Sequence, residues 1–238
     1  MKFIIGKKIE MTQLWRGETV AGVTAVQAGP CYITQVKAKE KDGYEAVQLG
    51  FGGKKEKNTK KPQLGHLQKV KAKGIADNFA FLREFRVDAK SGLEIGDKID
   101  VGTFAVGDKV AATGISKGRG FQGVVKRHGF QGGRKSHGNK DQLRMPGSTG
   151  ATGAGHVFKG TKKPGRTGGE TVTTKNLEII EVDKEKNILY IKGGIAGARN
   201  SLVLIQGAGE MTVSKPTIEK KEEIKAEAVA VPAEDAAK

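Results

Sequence analysis

Short runs of β-branched and aromatic residues recur along most of this chain, and turn-forming pairs such as Asp42-Gly43 and Gly107-Asp108 separate them. The pattern predicts β-strands at 2–5, 19–26, 32–38, 44–49, 98–101, 109–113, 177–182, 188–191 and 202–205. Many short strands at this spacing favour a small β-barrel over a parallel sheet. We therefore predict a mainly β fold.

One stretch between Pro62 and Gly74 has a different period. Leu64, Leu67 and Val70 recur every third residue, and lysines occupy the positions between and after them. This spacing predicts a short basic helix on the surface of the barrel body.

The chain of 238 residues carries a net charge of +16, and the excess is concentrated in one segment. Residues 114–170 hold 12 of the 42 Lys and Arg side chains but only two of the 26 acidic ones, together with 16 of the 35 glycines. A charge of this size indicates a polyanionic partner, with nucleic acid ahead of an anionic membrane. We expect no membrane partner.

The basic segment has too few apolar residues to form a core of its own. Ordering it costs roughly 1–2 kcal/mol per residue in backbone entropy, so contacts with a partner must offset that cost. Lys and Arg neutralise phosphates, His and Phe stack on bases, and Gly allows close backbone approach, which suits RNA helices better than a DNA groove. The candidate RNA-binding residues are Lys117, Arg119, Lys126, Arg127, His128, Arg134, Lys135, His137, Lys140, Arg144, His156, Lys159, Lys162, Lys163 and Arg166. A disordered basic linker is the alternative.

Enzyme chemistry has little support in the sequence. Residues 118–123 match a dinucleotide-binding glycine pattern, but no helix or second strand is predicted between them and Asp141. Cys31 is the single cysteine and the histidines lack metal-ligand spacing, so we predict no catalytic residue, cofactor or metal. A free RNA chaperone and an RNA-modifying enzyme are the alternatives to a structural RNA-binding protein. The N-terminal apolar stretch is too short for a secretory signal, which predicts a cytoplasmic location.

Several motifs carry a resemblance to a known family. The run from Phe104 through 113–123 to Arg127 is similar to the signature of the universal large-subunit ribosomal protein L-three family, in its bacterial form. Further matches in order include Gly65-His66, Glu84-Phe85-Arg86, His137-Gly138, Pro146-Gly147-Ser148 and Val157-Phe158-Lys159-Gly160. The resemblance covers roughly residues 1–206.

The resemblance implies a β-barrel of the translation-protein type, formed by 1–115 and 171–215, and a long irregular basic extension at 116–170. It implies that the extension penetrates 23S-type large-subunit rRNA toward the peptidyl-transferase region, with its tip near 142–152. Neighbouring large-subunit ribosomal proteins, a role in nucleating subunit assembly and a place in the cytoplasmic ribosome follow from the same resemblance.

The C-terminal stretch and the position of Ala151 depart from the family pattern. Residues 216–238 form an acidic, Ala-rich stretch without aromatic residues, and this composition predicts a disordered tail. Bacterial members carry a methylated Gln at the position of Ala151, so we predict no modification there.

Overall fold

The computed structural model describes residues 1–75, 78–87, 92–150 and 153–214. The tail predicted at 216–238 and the position of Ala151 lie outside these residues. The elements in chain order are β1 (Lys2–Arg16), β2 (Thr19–Ala28), β3 (Cys31–Lys37), α1 (Lys39–Asp42), β4 (Ala46–Lys54), α2 (Lys61–Lys71), β5 (Asn78–Arg86), β6 (Lys98–Ile99), β7 (Lys109–Ile115), β8 (Gly120–Gln122), α3 (Val124–His128), β9 (Gly165–Thr167), β10 (Thr171–Asp183), β11 (Ile188–Lys192) and β12 (Leu202–Gly207).

The chain folds into two compact units. The barrel unit comprises Ile5–Gln27 and Phe104–Ala208, and the sheet unit comprises Met1–Ile4, Ala28–Thr103 and, among the described residues, 209–214. Among the described residues, no helix is long and apolar enough to span a membrane.

Six strands close a barrel in the order β1, β12, β7, β10, β11, β2. The pairs β7–β10, β7–β12, β10–β11 and β2–β11 are antiparallel. Alternate residues face inward, so that Leu189 and Ile191 of β11 and Val203 and Ile205 of β12 are completely buried. The mainly β fold with a small barrel is confirmed.

A four-stranded sheet in the order β5, β4, β3, β6 forms the sheet unit. The helix predicted between Pro62 and Gly74 is confirmed as α2, and its buried residues Leu67 and Val70 pack against Phe79. The sequence pattern predicted no second sheet.

Strand β5 was missed because charged residues interrupt its apolar pattern. Arg83, Glu84 and Arg86 stand among its phenylalanines. It pairs with β4 over its whole length, from Asn78 opposite Lys54 to Arg86 opposite Ala46. Strand formation here depends on the neighbouring strand rather than on side-chain alternation.

Candidate nucleic-acid interface

The basic segment leaves the barrel as a paired stem, which we define as residues 115–122 and 165–171. Ile115 of β7 lies opposite Thr171 of β10, and the backbone pairing continues outward, with the Ser116 amide donating to the Glu170 carbonyl at 2.9 Å. The Arg119 amide then donates to the Thr167 carbonyl at 2.8 Å, and β8 pairs with β9. The stem therefore extends the barrel ladder into the segment predicted to be irregular.

Within that segment the stem and α3 are short regular elements, and the barrel supplies the physical reason for the stem. Because β7 and β10 are already paired, the two chains leaving them start side by side and pay little further loop-closure entropy to keep pairing. Gly168 allows the close approach, since its φ is +75° and a Cβ there would overlap the Lys117 carbonyl oxygen. The stem carries three predicted RNA-binding side chains, Lys117, Arg119 and Arg166, all exposed.

Helix α3 joins the outgoing and returning branches of the segment beyond the stem. The Arg127 guanidinium donates to the Lys163 carbonyl at 2.9 Å, and His128 Nε2 lies 3.1 Å from the same oxygen. Val124, the first residue of α3, is buried. Arg127 and His128, predicted as RNA contacts, thus also make intramolecular contacts, while Lys126 stays exposed.

The outer loop folds back on itself. The Gly133 amide donates to the Leu143 carbonyl at 3.0 Å, and the Asn139 side-chain amide donates to the Arg134 carbonyl at 2.9 Å. These contacts shape an open depression of about 540 Å³ lined by residues such as Phe130 and Met145. The predicted cations of this loop are all exposed: Arg134, Lys135, His137, Lys140 and Arg144.

The returning branch presents basic and aromatic side chains together. His156 and Phe158 meet edge to face with ring centroids 5.3 Å apart, and Phe158 is 64% exposed. Phe121, which lies on β8 of the outgoing branch, is also exposed, at 74%. The predicted cations of this branch, Lys159, Lys162 and Lys163, are exposed as well. Flat rings beside flexible cations form the arrangement that binds unstacked bases and phosphates.

The positive charge of the segment is not neutralised internally. Among the described residues, the predicted cations take part in no ion pair. Asp141 and Glu170 are the only acidic residues in 114–170. The mutual repulsion of these cations is relieved by counterions or by a polyanion.

Lys8 helps to hold the structure near the stem, and the sequence pattern did not identify this role. Its ammonium is buried and donates to the carbonyls of Ile195 at 2.6 Å and Gly197 at 3.4 Å. Burial lowers the pKa of Lys8, and the nearby Lys117 charge lowers it further. Lys8 therefore fixes the loop between β11 and β12, close to the stem. One lysine among many offers no sequence signal for this role.

Known proteins are similar in sequence to this chain over most of its length. Residues 47–188 match the family model described as Ribosomal protein L3. The chain is 47% identical to the large ribosomal subunit protein uL3 of Desulfitobacterium hafniense over 206 residues, which cover 86% of this chain and 95% of that protein.

Two Bacillus proteins of the same name have a similar sequence identity to this chain. The Bacillus cereus protein is 48% identical over 213 residues, covering 89% of this chain and 99% of the relative. The Bacillus thuringiensis protein is 49% identical over 209 residues, covering 87% and 97%. The family model and these relatives extend across both compact units and the basic extension, and on this evidence the chain belongs to the ribosomal protein L3 family.

Proposed function

We propose that this protein is a structural constituent of the large ribosomal subunit that binds large-subunit rRNA directly through the extension at 116–170. It is not an enzyme, because its family consists of structural ribosomal proteins. The observation that carries the proposal is the paired stem, which holds a long run of unneutralised cations and exposed aromatic rings on the barrel. Relatives named as large-subunit proteins support the same role.

Binding releases the counterions that the RNA phosphates and the extension hold separately. With 12 Lys and Arg in 114–170, full engagement gives a logarithmic salt slope on the order of −8 to −11. The stem sets the direction in which the extension leaves the barrel. The irregular remainder adapts to the RNA, with Arg134, Lys135 and Arg144 meeting phosphates and Phe158 stacking on a base.

The proposed partners are 23S-type rRNA and neighbouring large-subunit proteins, in the ribosome of the cytoplasm. The tip near 142–152 is proposed to approach the peptidyl-transferase region, and early binding is proposed to help nucleate subunit assembly. The division into a body, an extension at 116–170 and a tail at 216–238 is part of the same proposal.

Sedimentation with large subunits tests the placement in the ribosome. We expect the full chain to co-migrate with large subunits at physiological salt and to leave them only at high salt. A protein that sediments free at physiological salt would favour the RNA-chaperone alternative and would overturn the proposal.

A deletion tests the role of the extension. Replacing 123–164 by a short Gly-Ser turn keeps β8 and β9 paired and removes most of the cations. We expect the far-ultraviolet circular dichroism of a folded β protein together with loss of rRNA binding in filter assays. Full rRNA affinity in this variant would show that the extension is not the binding element.

A further inference from the structure

A second basic surface lies in the sheet unit, away from the extension in sequence. Residues 54–73 contain eight lysines and one acidic residue, whereas the rest of 1–113 has twelve cations and twelve acids. We define the lysine surface as Lys54, Lys55, Lys57, Lys60, Lys61, Lys69, Lys71 and Lys73. The whole excess charge of the chain before the extension therefore comes from this surface.

The fold brings the two ends of this stretch together. Lys71 near the end of α2 lies 3.8 Å from Glu56, which stands in the short turn after β4. Among the described residues this is the only ion pair made by any of the eight lysines. The surface thus presents a block of positive charge with almost no internal neutralisation.

Gly65 stands at the centre of the exposed face of α2. Leu67 and Val70 turn toward the sheet, while Lys61, Gly65 and Lys69 recur every four residues on the opposite face. Lys61 and Lys69 are about 12 Å apart along the helix axis, with Gly65 midway.

The internal packing of the protein does not require a glycine at this position. A Cβ on Gly65 would meet no atom within 4 Å, and its backbone is helical. Glycine inside a helix is less favourable than alanine. Glycine at this exposed helical position leaves room for the close approach of a backbone from outside the chain.

We propose that the lysine surface is a second RNA-binding site, at which a sugar-phosphate backbone lies across α2 against Gly65, with Lys61 and Lys69 contacting phosphates on either side. The chemistry favours phosphates rather than bases, because 54–73 contains no Arg and no aromatic residue. Its single imidazole, His66, is held 2.7 Å from Gln48 Oε1. This inference rests on the proposed function and adds a contact that is independent of RNA sequence.

Charge removal gives the first test. The full chain carrying Lys61→Gln and Lys69→Gln is titrated with a large-subunit rRNA transcript in filter-binding assays between 50 and 200 mM salt. We expect the logarithmic salt slope to become shallower by about 1.4–1.8, so that the wild type loses about tenfold more affinity over this range than the variant. The matched control, Lys184→Gln with Lys186→Gln on the turn between β10 and β11, is expected to keep the wild-type slope.

Gly65 substitutions give the second test, which a folding defect cannot imitate. We expect Gly65→Ala to raise the midpoint of thermal unfolding by about 1–4 °C and yet to weaken rRNA binding. The larger neutral side chain of Gly65→Gln is expected to weaken binding further. Wild-type affinity in both Gly65 variants would overturn the close approach that we propose.

The outcomes separate this inference from the proposed function. If the lysine and Gly65 variants bind like wild type while the 123–164 deletion does not bind, the second site is wrong and the proposed function stands. If the wild type itself fails to bind the transcript, the proposed function fails. Tighter binding of the wild type to poly-glutamate than to the transcript, lost in the Lys61→Gln, Lys69→Gln variant, would identify an acidic protein partner and would also overturn the second site.

Discussion

Substituting Gly168 by Ala tests whether the paired stem organises the extension. Two effects act together at this position. A φ of +75° costs a residue with a Cβ about 1–2 kcal/mol, and that Cβ would overlap the Lys117 carbonyl oxygen. The carbonyl belongs to the backbone and the position of a Cβ is fixed by the backbone, so no side-chain rotation relieves the contact and the two chains of the stem must separate.

Separation breaks two hydrogen bonds that cross the stem near Gly168. The Gly169 amide donates to the Ser116 carbonyl at 3.2 Å, and the Arg119 amide donates to the Thr167 carbonyl at 2.8 Å. At about 0.5–1.5 kcal/mol each, their loss adds about 1–3 kcal/mol to the strain. Opening of the stem should therefore become easier by about 2–5 kcal/mol in Gly168→Ala.

Amide hydrogen exchange measures this change directly. We expect the Arg119 and Gly169 amides to exchange roughly 30-fold faster or more, since 1.4 kcal/mol corresponds to a factor of ten, while the barrel amides keep their protection. Affinity for the rRNA transcript should fall, because a larger part of the extension must then be ordered on binding.

Gly118 supplies the matched control within the same stem. A Cβ on Gly118 meets no atom within 4 Å, so Gly118→Ala should leave both exchange and affinity unchanged. If Gly168→Ala kept wild-type protection at Arg119 and wild-type rRNA affinity, the stem would not be the organising element that we describe.

Three further substitutions test the surrounding structure. Lys8→Met leaves two loop carbonyls without a donor, so the free energy of unfolding in urea should fall by about 1–3 kcal/mol; an unchanged urea midpoint would contradict this role. Leu189→Ala removes a fully buried barrel side chain and should cost about 2–5 kcal/mol by the same measurement, and a loss below 1 kcal/mol would argue against a packed barrel core. The hydrogen bond from Lys37 and then that from Tyr44 lower the pKa of the Glu84 carboxyl, so its stabilising effect is present above the unfolded-state pKa of about 4.3 and is lost as pH falls through the lowered folded-state pKa. The stability difference between wild type and Glu84→Gln, followed by thermal melts, should close below about pH 4, and a difference that widens in acid would refute this assignment.

Local sequence patterns were sufficient to predict the helix and strands that bury an apolar face. The spacing of Leu67 and Val70 identified α2, and short alternating runs identified the strands around Leu189 and Val203. Strand limits were less accurate, since β1 continues to Arg16 and β10 begins at Thr171. These polar ends are held by pairing with neighbouring strands, and pairing leaves no periodic trace in one strand's sequence.

The candidate site also has features that the sequence predicts and features that only the tertiary structure reveals. Composition alone located the cationic segment, because charge and glycine content are visible without a fold. The contacts of Arg127 and His128 with the Lys163 carbonyl join residues 35 or more positions apart, and no local pattern indicates them. The same holds for Lys8, which contacts residues nearly 190 positions away.

Residue order thus established a basic, glycine-rich segment attached to a β-rich body, because charge, turn residues and alternation act over a few positions. Folding then placed β7 beside β10, and that pairing made the segment a stem with a fixed exit instead of a free linker. It also set Gly65 between two lysines on the outer face of α2. Both outcomes depend on which strands and helix face become neighbours, and long-range packing decides this through the burial of apolar surface.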